Sequence, residues 1–282
     1  MSVRPEAPTS SPAELSTKLS TWREVSVERE HVGAVELATD YVAEERPVAL
    51  HYYRLPYVVM LASPADLEDL GVGFTLSEGI VGAADEIRGV ELVRDGDALA
   101  VHLNITGERV SRILQRQRNL TGRTGCGLCG VESVEEAIRH PAPVREGVRV
   151  TSAEVHADLA KLHTQQPLNL RTGSVHAAAW ALPGKGIQLV REDVGRHNAL
   201  DKVIGALARA GTDLSLGYLI ITSRASYEMV QKAATVGVSL VVAVSAPTAL
   251  AIDLAVETGV TLIGFARADR HVVYANPQRL RD

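Results

Sequence analysis

The chain holds only two cysteines, Cys126 and Cys129, and both lie in the stretch RTGCGLCG at residues 123–130. Two thiols so close in sequence do not staple distant parts of a fold together. A pair with this spacing is typical of three kinds of chemistry, which are metal coordination, thiol–disulfide exchange and sulfur transfer. The other residues of the chain must discriminate among the three.

Metal coordination is the least favoured of these. A structural zinc site takes about four ligands, usually two Cys-x-x-Cys pairs or one pair with closely spaced histidines. Here there is one pair, and the histidines at positions 140, 156, 163, 176 and 197 lack that spacing. Zinc deaminases carry His-x-Glu upstream of Pro-Cys-x-x-Cys, whereas His176-Ala177-Ala178 follows the cysteines and lacks the glutamate. We therefore expect no bound metal.

The glycines around the cysteines favour sulfur transfer. Glycine reaches backbone conformations closed to other residues, so a loop of this composition is mobile and unhindered. A mobile thiolate can collect a group from one partner and deliver it to another, which suits a carrier better than a fixed redox centre. A thiol–disulfide oxidoreductase remains an alternative. Two incidental buried thiols are disfavoured, because buried cysteines prefer apolar surroundings.

A second polar stretch, REDVGRHNALDK at residues 191–202, stands between an apolar strand and an apolar helix. It fits either a solvated, capped connection or the rim of a pocket. In the second interpretation Arg191, Arg196, His197 and Lys202 contact phosphates while Asp193 orients them.

Other polar residues stand at the ends of predicted strands, where ligands of open α/β sheets bind. These strand ends read Thr222-Ser223-Arg224, Ser245 and Phe265-Ala266-Arg267. Ser223 either caps the following helix or contacts a ligand.

The elements that position these residues come from hydrophobic patterning. After residue 168 apolar strands alternate with helices, which predicts βαβ units and a mainly parallel sheet. Thr151 and Glu154 form a capping box, and the turn at residues 183–186 joins two strands. Strands are expected at 174–182, 187–193, 217–223, 239–245 and 260–267, and helices at 151–163, 197–210, 225–237 and 247–259, the last with Pro247 at its start.

The sequence pattern of the N-terminal half predicts a small α+β unit. Strands are expected at 22–28 and 46–61, with a hairpin over 89–105 that turns at Asp95-Gly96. A helix over 63–80 is expected to begin with Ser63 as its cap and Pro64 at its first position. Short helices are expected at 107–118 and 133–140. The predicted organisation is a disordered tail at 1–20, an α+β domain at 21–118, a mobile cysteine loop with a short helix at 119–150, and an α/β domain at 151–282.

The charge and composition of the chain limit the kinds of molecule that it can bind. The formal charge of −5 gives no general affinity for nucleic acid or anionic membranes, so an anionic ligand needs a local basic pocket. No apolar run reaches the roughly 20 residues of a membrane span, and the N-terminus lacks a signal-peptide core. These features favour a cytoplasmic protein, in which a vicinal thiol pair is more often catalytic or metal-binding than structural.

Several stretches together closely resemble one family. GFTLSEGIV, GCGLCG, REDVGRHNALDKVIG, TSRASYEMVQKAA, SAPTALAIDLA and TLIGFAR are similar to the FdhD family of formate dehydrogenase accessory sulfurtransferases, from about residue 45 to the end. The occurrence of CGLC and REDVGRHNALDK in this order is more specific than either motif alone. Ser174 departs from the family pattern, in which a glycine is common.

The resemblance implies a sulfur carrier. A cysteine desulfurase would pass sulfur to Cys126 as a persulfide, and the sulfur would go on to the molybdenum or tungsten of a bis-molybdopterin guanine dinucleotide cofactor before formate dehydrogenase becomes active. Cys129 would either share the persulfide or resolve it as a disulfide. A non-catalytic cofactor chaperone is a further alternative.

The resemblance also implies a three-layer C-terminal domain similar to cytidine deaminase, without the deaminase metal site, and a homodimer. A guanine nucleotide such as GDP would occupy the cofactor site. Arg267 and Arg270 would clamp the pyrophosphate, and Phe265 or Asp269 would contact the guanine. The resemblance places the cofactor stretch on Phe265, Ala266, Arg267, Ala268, Asp269 and Arg270. The polar stretch and the strand ends described above add His197, Ser223 and Arg224 to the predicted cofactor-binding residues.

Overall fold

The computed structural model describes residues 19–53, 55–96, 98–107, 109, 140–145 and 147–281. The chain forms a mixed α/β structure with several sheets. The strands are β1 (Trp22–His31), β2 (Ala34–Ala43), β3 (Arg46–Tyr52), β4 (Leu55–Ala62), β5 (Ile87–Asp95), β6 (Ala98–Ile105), β7 (Val150–Thr151), β8 (His176–Leu182), β9 (Gly186–Asp193), β10 (Tyr218–Ile221), β11 (Leu240–Ala243), β12 (Thr261–Gly264), β13 (Val272–Ala275) and β14 (Leu280–Arg281). The helices are α1 (Leu67–Ser77), α2 (Ser152–Leu162), α3 (Pro167–Thr172), α4 (Arg196–Arg209), α5 (Tyr227–Thr235) and α6 (Ala249–Thr258).

The N-terminal half contains a four-stranded sheet in the order β4-β3-β6-β5. The hairpin predicted between β5 and β6 is confirmed. Asp95 pairs with Ala98 across the turn, and Gly96 takes a left-handed φ of 57° that favours glycine. Strand β3 pairs with β4 in antiparallel and with β6 in parallel orientation.

A second N-terminal hairpin was only half predicted. The sequence indicated a strand at 22–28, but β1 continues to His31 and pairs along its whole length with β2. The two strands form a separate two-stranded sheet. Strand β2 was missed although Val35, Leu37 and Tyr41 alternate with Glu36 and Asp40, a pattern typical of a half-buried strand.

The central sheet has the order β13-β12-β11-β10-β8-β9, and only the β10–β11 and β11–β12 pairs are parallel. The prediction of a mainly parallel sheet is therefore wrong. Short connections permit only antiparallel neighbours. A tight turn joins β8 to β9, and another short connection returns β13 against β12.

Helices cover both faces of this sheet. Residues of β10 alternate between the two sides, so that Leu219 and Ile221 join one hydrophobic cluster while Tyr218 and Ile220 join the other. Helices α4, α5 and α6 contribute to the first cluster, and α2 contributes to the second. The first cluster also contains the buried residues of β3, β6 and α1, so one continuous core joins the two halves of the chain.

The predicted start of α1 is wrong, and that of α6 is two residues early. Helix α1 begins at Leu67 after Asp66, because Ser63 is buried and its polar groups bond to the C-terminal half instead of capping. Helix α6 follows Thr248, whose hydroxyl accepts a hydrogen bond from the amide of Ala251. The predicted capping box of α2 is confirmed.

The helices and domain limits predicted between residues 107 and 150 fall only partly on described residues. Apart from Gly107, Arg109 and His140, the helices expected at 107–118 and 133–140 lie outside the described residues. The domain limits at 118 and 150 stay predictions. Among the helices that the structure describes, none has the length and apolar character needed to cross a membrane.

Helix α1 packs against α4 at a crossing made by two glycines. A Cβ atom placed on Gly73 would lie 1.7 Å from the carbonyl oxygen of Asp201, and one placed on Gly205 would lie 1.9 Å from the carbonyl oxygen of Asp69. The backbones of the two helices are therefore in direct contact. No side chain fits at either position without separating the helices.

We expect Gly73→Ala to destabilise the protein by about 1–3 kcal/mol or more, because the added methyl group collides with backbone that cannot rotate away. Chemical denaturation measures the loss. Gly89→Ala is the control, since a Cβ there would lie 3.7 Å from its nearest neighbour, Asn104 Nδ2. Equal stability of Gly73→Ala and the wild type would contradict the close helix contact.

Candidate functional site

A cleft of about 370 Å³ lies at the carboxyl edge of the central sheet. Thr222 follows β10, Val244 follows β11, and Ala266 to Ala268 follow β12 on this edge. The opposite wall comes from α2, α3 and the segments after them. This is the position at which ligands of α/β sheets bind. The described lining residues are Leu159, Leu162, His163, Gln166, Asn169, Val175, His176, Thr222, Val244, Ala266, Arg267 and Ala268.

Backbone hydrogen bonds join the loops that form this edge. The amide of Ala225 donates to the carbonyl of Ala246 at 3.2 Å, and the amide of Thr248 donates back to Ala225 at 3.0 Å. The amide of Phe265 donates to Ser245 at 3.2 Å. The loops after β10, β11 and β12 therefore form one connected ledge rather than three independent turns.

Arg267 is the cationic side chain of the cleft lining. Its Nη1 donates to the carbonyl oxygen of Ala266 at 2.8 Å and to that of Val244, so the ledge itself orients the guanidinium group. The backbone of residues 267–270 closes a turn, in which the amide of Arg267 donates to the carbonyl of Arg270 at 2.8 Å. Among the residues predicted by resemblance, Ala266, Arg267 and Ala268 lie together in the cleft lining.

The other members of that predicted stretch are not among the described lining residues of the cleft. Phe265 is exposed and has a left-handed φ of 48°. Asp269 and Arg270 form an exposed ion pair at 3.5 Å and are not among the lining residues. Arg270 is thus near Arg267 in sequence but does not share its place in the cleft.

His176 connects the cleft to the start of α4. It begins β8 and lines the cleft. Burial, together with nearby Arg196 and His197, lowers the pKa of His176, so the neutral ring is favoured. His197 therefore lies beside the cleft without being one of the described lining residues.

His197 faces a carboxylate at the start of α5. Its Nε2 lies 3.8 Å from Glu228 Oε2, a distance for an ion pair rather than a hydrogen bond. Ser226 Oγ donates to the same carboxylate at 2.8 Å. Contact with His197 and this hydrogen bond lower the pKa of Glu228 to about 2. The group therefore stays ionised at neutral pH.

Ser223 and Arg224 lie outside the described cleft lining. Ser223 is buried and its hydroxyl donates to the carbonyl of Arg224 at 3.0 Å, whereas Arg224 is exposed. The N-cap of α5 is Ser226, so Ser223 is not the cap. Its role in ligand contact stays a prediction.

Comparison with known proteins identifies the family. The model of the FdhD/NarQ family matches residues 43–281. The chain belongs to the FdhD/NarQ family. The resemblance seen in the six sequence stretches is thereby confirmed.

The relatives of this FdhD/NarQ chain match nearly all of it. A protein of Cupriavidus necator named sulfur carrier protein FdhD is 50% identical over 270 residues, which cover 96% of this chain and 91% of the relative. A protein of the same name from Xanthomonas euvesicatoria is 51% identical over 256 residues, with 90% and 91% covered. A crystal structure assigned as a formate dehydrogenase accessory protein, from Desulfotalea psychrophila, has a TM-score of 0.76 at 24% identity and covers 93% of this chain and 100% of the other. That structure supports the fold.

The REDVGRHNALDK stretch of this FdhD/NarQ chain is largely internal. Lys202 Nζ lies 2.6 Å from Asp193 Oδ2, and both side chains are fully buried. Asp193 also accepts hydrogen bonds from the amide of Ser63 at 3.0 Å and from Asn198 Nδ2 at 2.9 Å. Lys202 therefore does not contact phosphates, and the pocket-rim interpretation is wrong for this pair. The pair fastens the end of β4 to the C-terminal half.

Arg191 and Lys232 also bind carboxylates of the protein itself. Arg191 Nη2 bonds to Asp69 Oδ2 at 2.9 Å. Lys232 Nζ bonds to Asp201 Oδ2 and to Glu78 Oε1, each at 2.9 Å. Burial opposes the charge of Lys232, but the two carboxylates outweigh it and raise its pKa. These motif residues hold α1 in place rather than bind a ligand.

Sequence reasoning missed one wall of the cleft in this FdhD/NarQ chain. His163, Gln166 and Asn169 line it, and the carboxylate of Glu192 fixes α3 by accepting the amides of Leu168 and Asn169 at 2.9 Å and 2.8 Å. The signal available was the recurrence of polar residues at every third position from 163 to 169. Such a recurrence also suits a solvated helical turn, so it did not stand out.

Cys126 and Cys129 lie outside the described residues. Their predicted mobility and their roles stay predictions. Within the described residues, no group of three or more His, Cys, Asp or Glu side chains is arranged to hold a metal ion.

We expect Lys202→Met to lose about 3–5 kcal/mol of stability, because Asp193 is left as an unpaired buried charge. Chemical denaturation measures this loss. The double variant Asp193→Asn/Lys202→Met should lose less than the sum of the two single variants. Lys185→Met, in the exposed turn between β8 and β9, is the control. A stable Lys202→Met variant with weakened guanine nucleotide binding would restore the phosphate interpretation.

The low pKa of Glu228 gives a pH-dependent prediction. Because the folded pKa of about 2 lies below the ordinary 4.5, the carboxylate stabilises the fold fully above about pH 5, and this contribution is lost as pH falls toward 2. We expect the wild type to exceed Glu228→Gln by about 1–3 kcal/mol at pH 7, with the difference shrinking below pH 4.5. Urea unfolding from pH 7 to 3.5 measures it.

Asp253→Asn, at an exposed position, is the control for Glu228→Gln. Its free energy of unfolding should differ from that of the wild type by a small amount that does not change with pH. A difference between wild type and Glu228→Gln that stays constant or grows toward acid pH would contradict the assignment of a stabilising carboxylate.

Proposed function

We propose that this protein is a sulfur carrier that serves formate dehydrogenase. It accepts sulfur from a cysteine desulfurase and transfers it to the metal of a bis-molybdopterin guanine dinucleotide cofactor before the cofactor enters the dehydrogenase. Family membership and the sulfur carrier name of relatives about half identical in sequence support this function. The Cys-x-x-Cys pair supplies thiols of the kind that such chemistry requires.

The cleft at the carboxyl edge of the sheet is the observation that carries the cofactor part of the proposal. Its volume lies at the lower end of the roughly 300–1,000 Å³ range of small-molecule sites. This size suits one nucleotide portion of the cofactor rather than the whole molecule. Arg267 supplies a fixed cation for phosphate, while Asn169 and His176 offer polar groups to a base or pterin edge.

The sulfur steps follow from thiol chemistry. The Cys126 thiolate attacks the terminal sulfur of the donor persulfide, so that a new sulfur–sulfur bond forms as the donor's bond breaks and the donor thiolate leaves. The Cys126 sulfur would then leave as a thiolate with the electron pair of the sulfur–sulfur bond. The terminal sulfur would pass to the cofactor's metal, whose reduced form would supply the two electrons that bring this sulfur to the sulfide level. Cys129 shares the persulfide, or its thiolate attacks the Cys126 sulfur, so that hydrosulfide leaves and a Cys126–Cys129 disulfide forms. In this proposal the cofactor is the cargo of the carrier. His197, Ser223 and Arg224 complete the proposed binding site around it.

The finer architecture belongs to the same proposal. The C-terminal half is a cytidine-deaminase-like three-layer domain, which is supported by helices on both faces of its sheet. The chain acts as a cytoplasmic homodimer. Its partners are a cysteine desulfurase and formate dehydrogenase, and GDP is a suitable ligand with which to probe the cofactor site.

The cysteines can be tested by loading the wild type, Cys126→Ala and Cys129→Ala with a cysteine desulfurase and weighing the intact protein. We expect the wild type to gain the mass of one sulfur atom and Cys126→Ala to gain none, with loss of formate dehydrogenase activation, because the persulfide bond requires this thiolate. Full activation by Cys126→Ala would overturn the assignment. Full activation by a variant that lacks both thiols would favour a cofactor chaperone, and turnover of a dithiol substrate would favour an oxidoreductase.

The cleft can be tested by GDP binding to Arg267→Ala. Removing a charged hydrogen-bond donor from a phosphate costs about 1.5–3 kcal/mol, so the Kd should rise by roughly 10- to 100-fold. Arg270→Ala is the matched control, because this exposed arginine pairs with Asp269 at 3.5 Å and should change the Kd less than about threefold. Isothermal titration measures both. Unchanged affinity in Arg267→Ala would remove the cleft from the proposal.

A further inference from the structure

The hairpin of β1 and β2 is the least covered part of the described chain. Every residue from 28 to 37 is exposed, including Leu37 at 83% and Val35 at 63%. The two strands form a sheet of their own, so within the described residues both outer edges lack a strand partner. An isolated two-stranded hairpin is marginally stable in water. Its exposed apolar residues therefore call for a covering surface.

The base of this hairpin is fixed next to the cleft. The guanidinium of Arg171 in α3 lies over the ring of Trp22 at 4.1 Å and over that of Tyr41 at 4.9 Å. Trp22 and Tyr41 pack edge to face with ring centroids 5.2 Å apart. Asn169, two residues before Arg171, lines the cleft. One short helix thus supports both the hairpin and a cleft wall.

The register divides the hairpin into two unlike faces. Glu28 lies opposite Leu37 and Glu30 lies opposite Val35, so these four residues share one face. Glu24 lies opposite Tyr41 on the same face. We name this surface, formed by Glu24, Glu28, Glu30, Val35 and Leu37, the acidic hairpin face.

The second face is balanced in charge. Arg29 lies opposite Glu36, and the Nε2 atom of His31 is 3.9 Å from Glu36 Oε1. Arg23 and Asp40 also lie on this face by alternation. By the same alternation no basic residue of the hairpin lies on the acidic hairpin face, and Arg171 of α3 stacks on Trp22 and Tyr41 at its base. The exposed side chains of Val35 and Leu37 therefore lie beside carboxylates alone, whereas the second face carries basic residues as well as Glu36 and Asp40.

We propose that the acidic hairpin face docks a protein whose surface presents lysine or arginine residues beside an apolar patch. Contact of this face with the same face of a second copy is disfavoured, because two such faces would bring like charges together. Anionic membranes and nucleic acid are disfavoured for the same reason. Because α3 joins the hairpin to the cleft, the docked protein is the one that exchanges cargo with the cleft. This last step rests on the proposed function, under which that protein is formate dehydrogenase.

The test measures binding of the full-length protein to purified cofactor-free formate dehydrogenase from the same organism by isothermal titration. The test variant is Glu28→Lys/Glu30→Lys. The matched control, Glu36→Lys/Asp40→Lys, makes the same charge change on the opposite face of the same hairpin. We expect the Kd to rise about tenfold or more in the test variant and less than about threefold in the control.

Two further measurements complete the experiment. Raising the salt concentration should weaken wild-type binding more than that of Glu28→Lys/Glu30→Lys, because screening acts on the charges removed there. Leu37→Ser should also raise the Kd, by roughly tenfold if the side chain is fully buried by the partner. GDP affinity and the thermal midpoint should stay unchanged in all these variants, which excludes misfolding.

Several outcomes would overturn the proposal. These are an equal effect of the two double variants, no measurable binding by the wild type, or conversion of a dimer to a monomer by Glu28→Lys/Glu30→Lys in sedimentation. The last result would assign the face to a second copy of the chain. The proposed function fails separately, if the wild type takes no sulfur from the desulfurase and does not bind GDP.

Discussion

The contact between α1 and α4 is the constraint on which the rest of the molecule depends. At Gly73 and Gly205 the two helix backbones touch, since neither position has room for a Cβ atom. Ionic contacts surround the crossing, with Asp69 bound to Arg191 and Arg209, and Lys232 bound to Asp201. Hydrophobic packing supplies most of the stabilisation, while the buried charges define how the helices are aligned. The two halves of the chain therefore share one core and one set of buried partners.

This alignment also determines the geometry of the cleft. The first turn of α4 brings Arg196 and His197 beside His176. The end of β9 carries Glu192, which fixes α3 in the opposite wall of the cleft. Asp193 is the next residue, and it anchors β9 to Ser63 in the N-terminal half. Two neighbouring carboxylates thus connect the cleft walls to the shared core.

Local signals in the sequence predicted much of this fold, and long-range pairing limited the rest. The β5–β6 hairpin, the capping box of α2 and the cleft at the strand ends depend on residues close in sequence or on a general rule of sheets. The antiparallel β8–β10 pair depends on which strands meet in space, which alternation does not encode. Lys202 was misinterpreted because a basic residue looks the same in sequence whether it contacts solvent or a buried carboxylate. The wall at His163, Gln166 and Asn169 is recognisable only when the opposite ledge is known.

The buried ion pair of Lys232 and Asp201 has a consequence for synthesis on the ribosome. Ser77 and Glu78, at the end of α1, can bind Lys232 only when residue 232 has emerged. At ~5–20 residues per second, translation of the intervening segment takes roughly 8–30 s. During this interval the side of α1 that contacts α4 is solvated and open to chaperones, whereas the side that contacts β3 and β6 can already pack. The nascent N-terminal half must therefore wait for the C-terminal half before it can complete its interior.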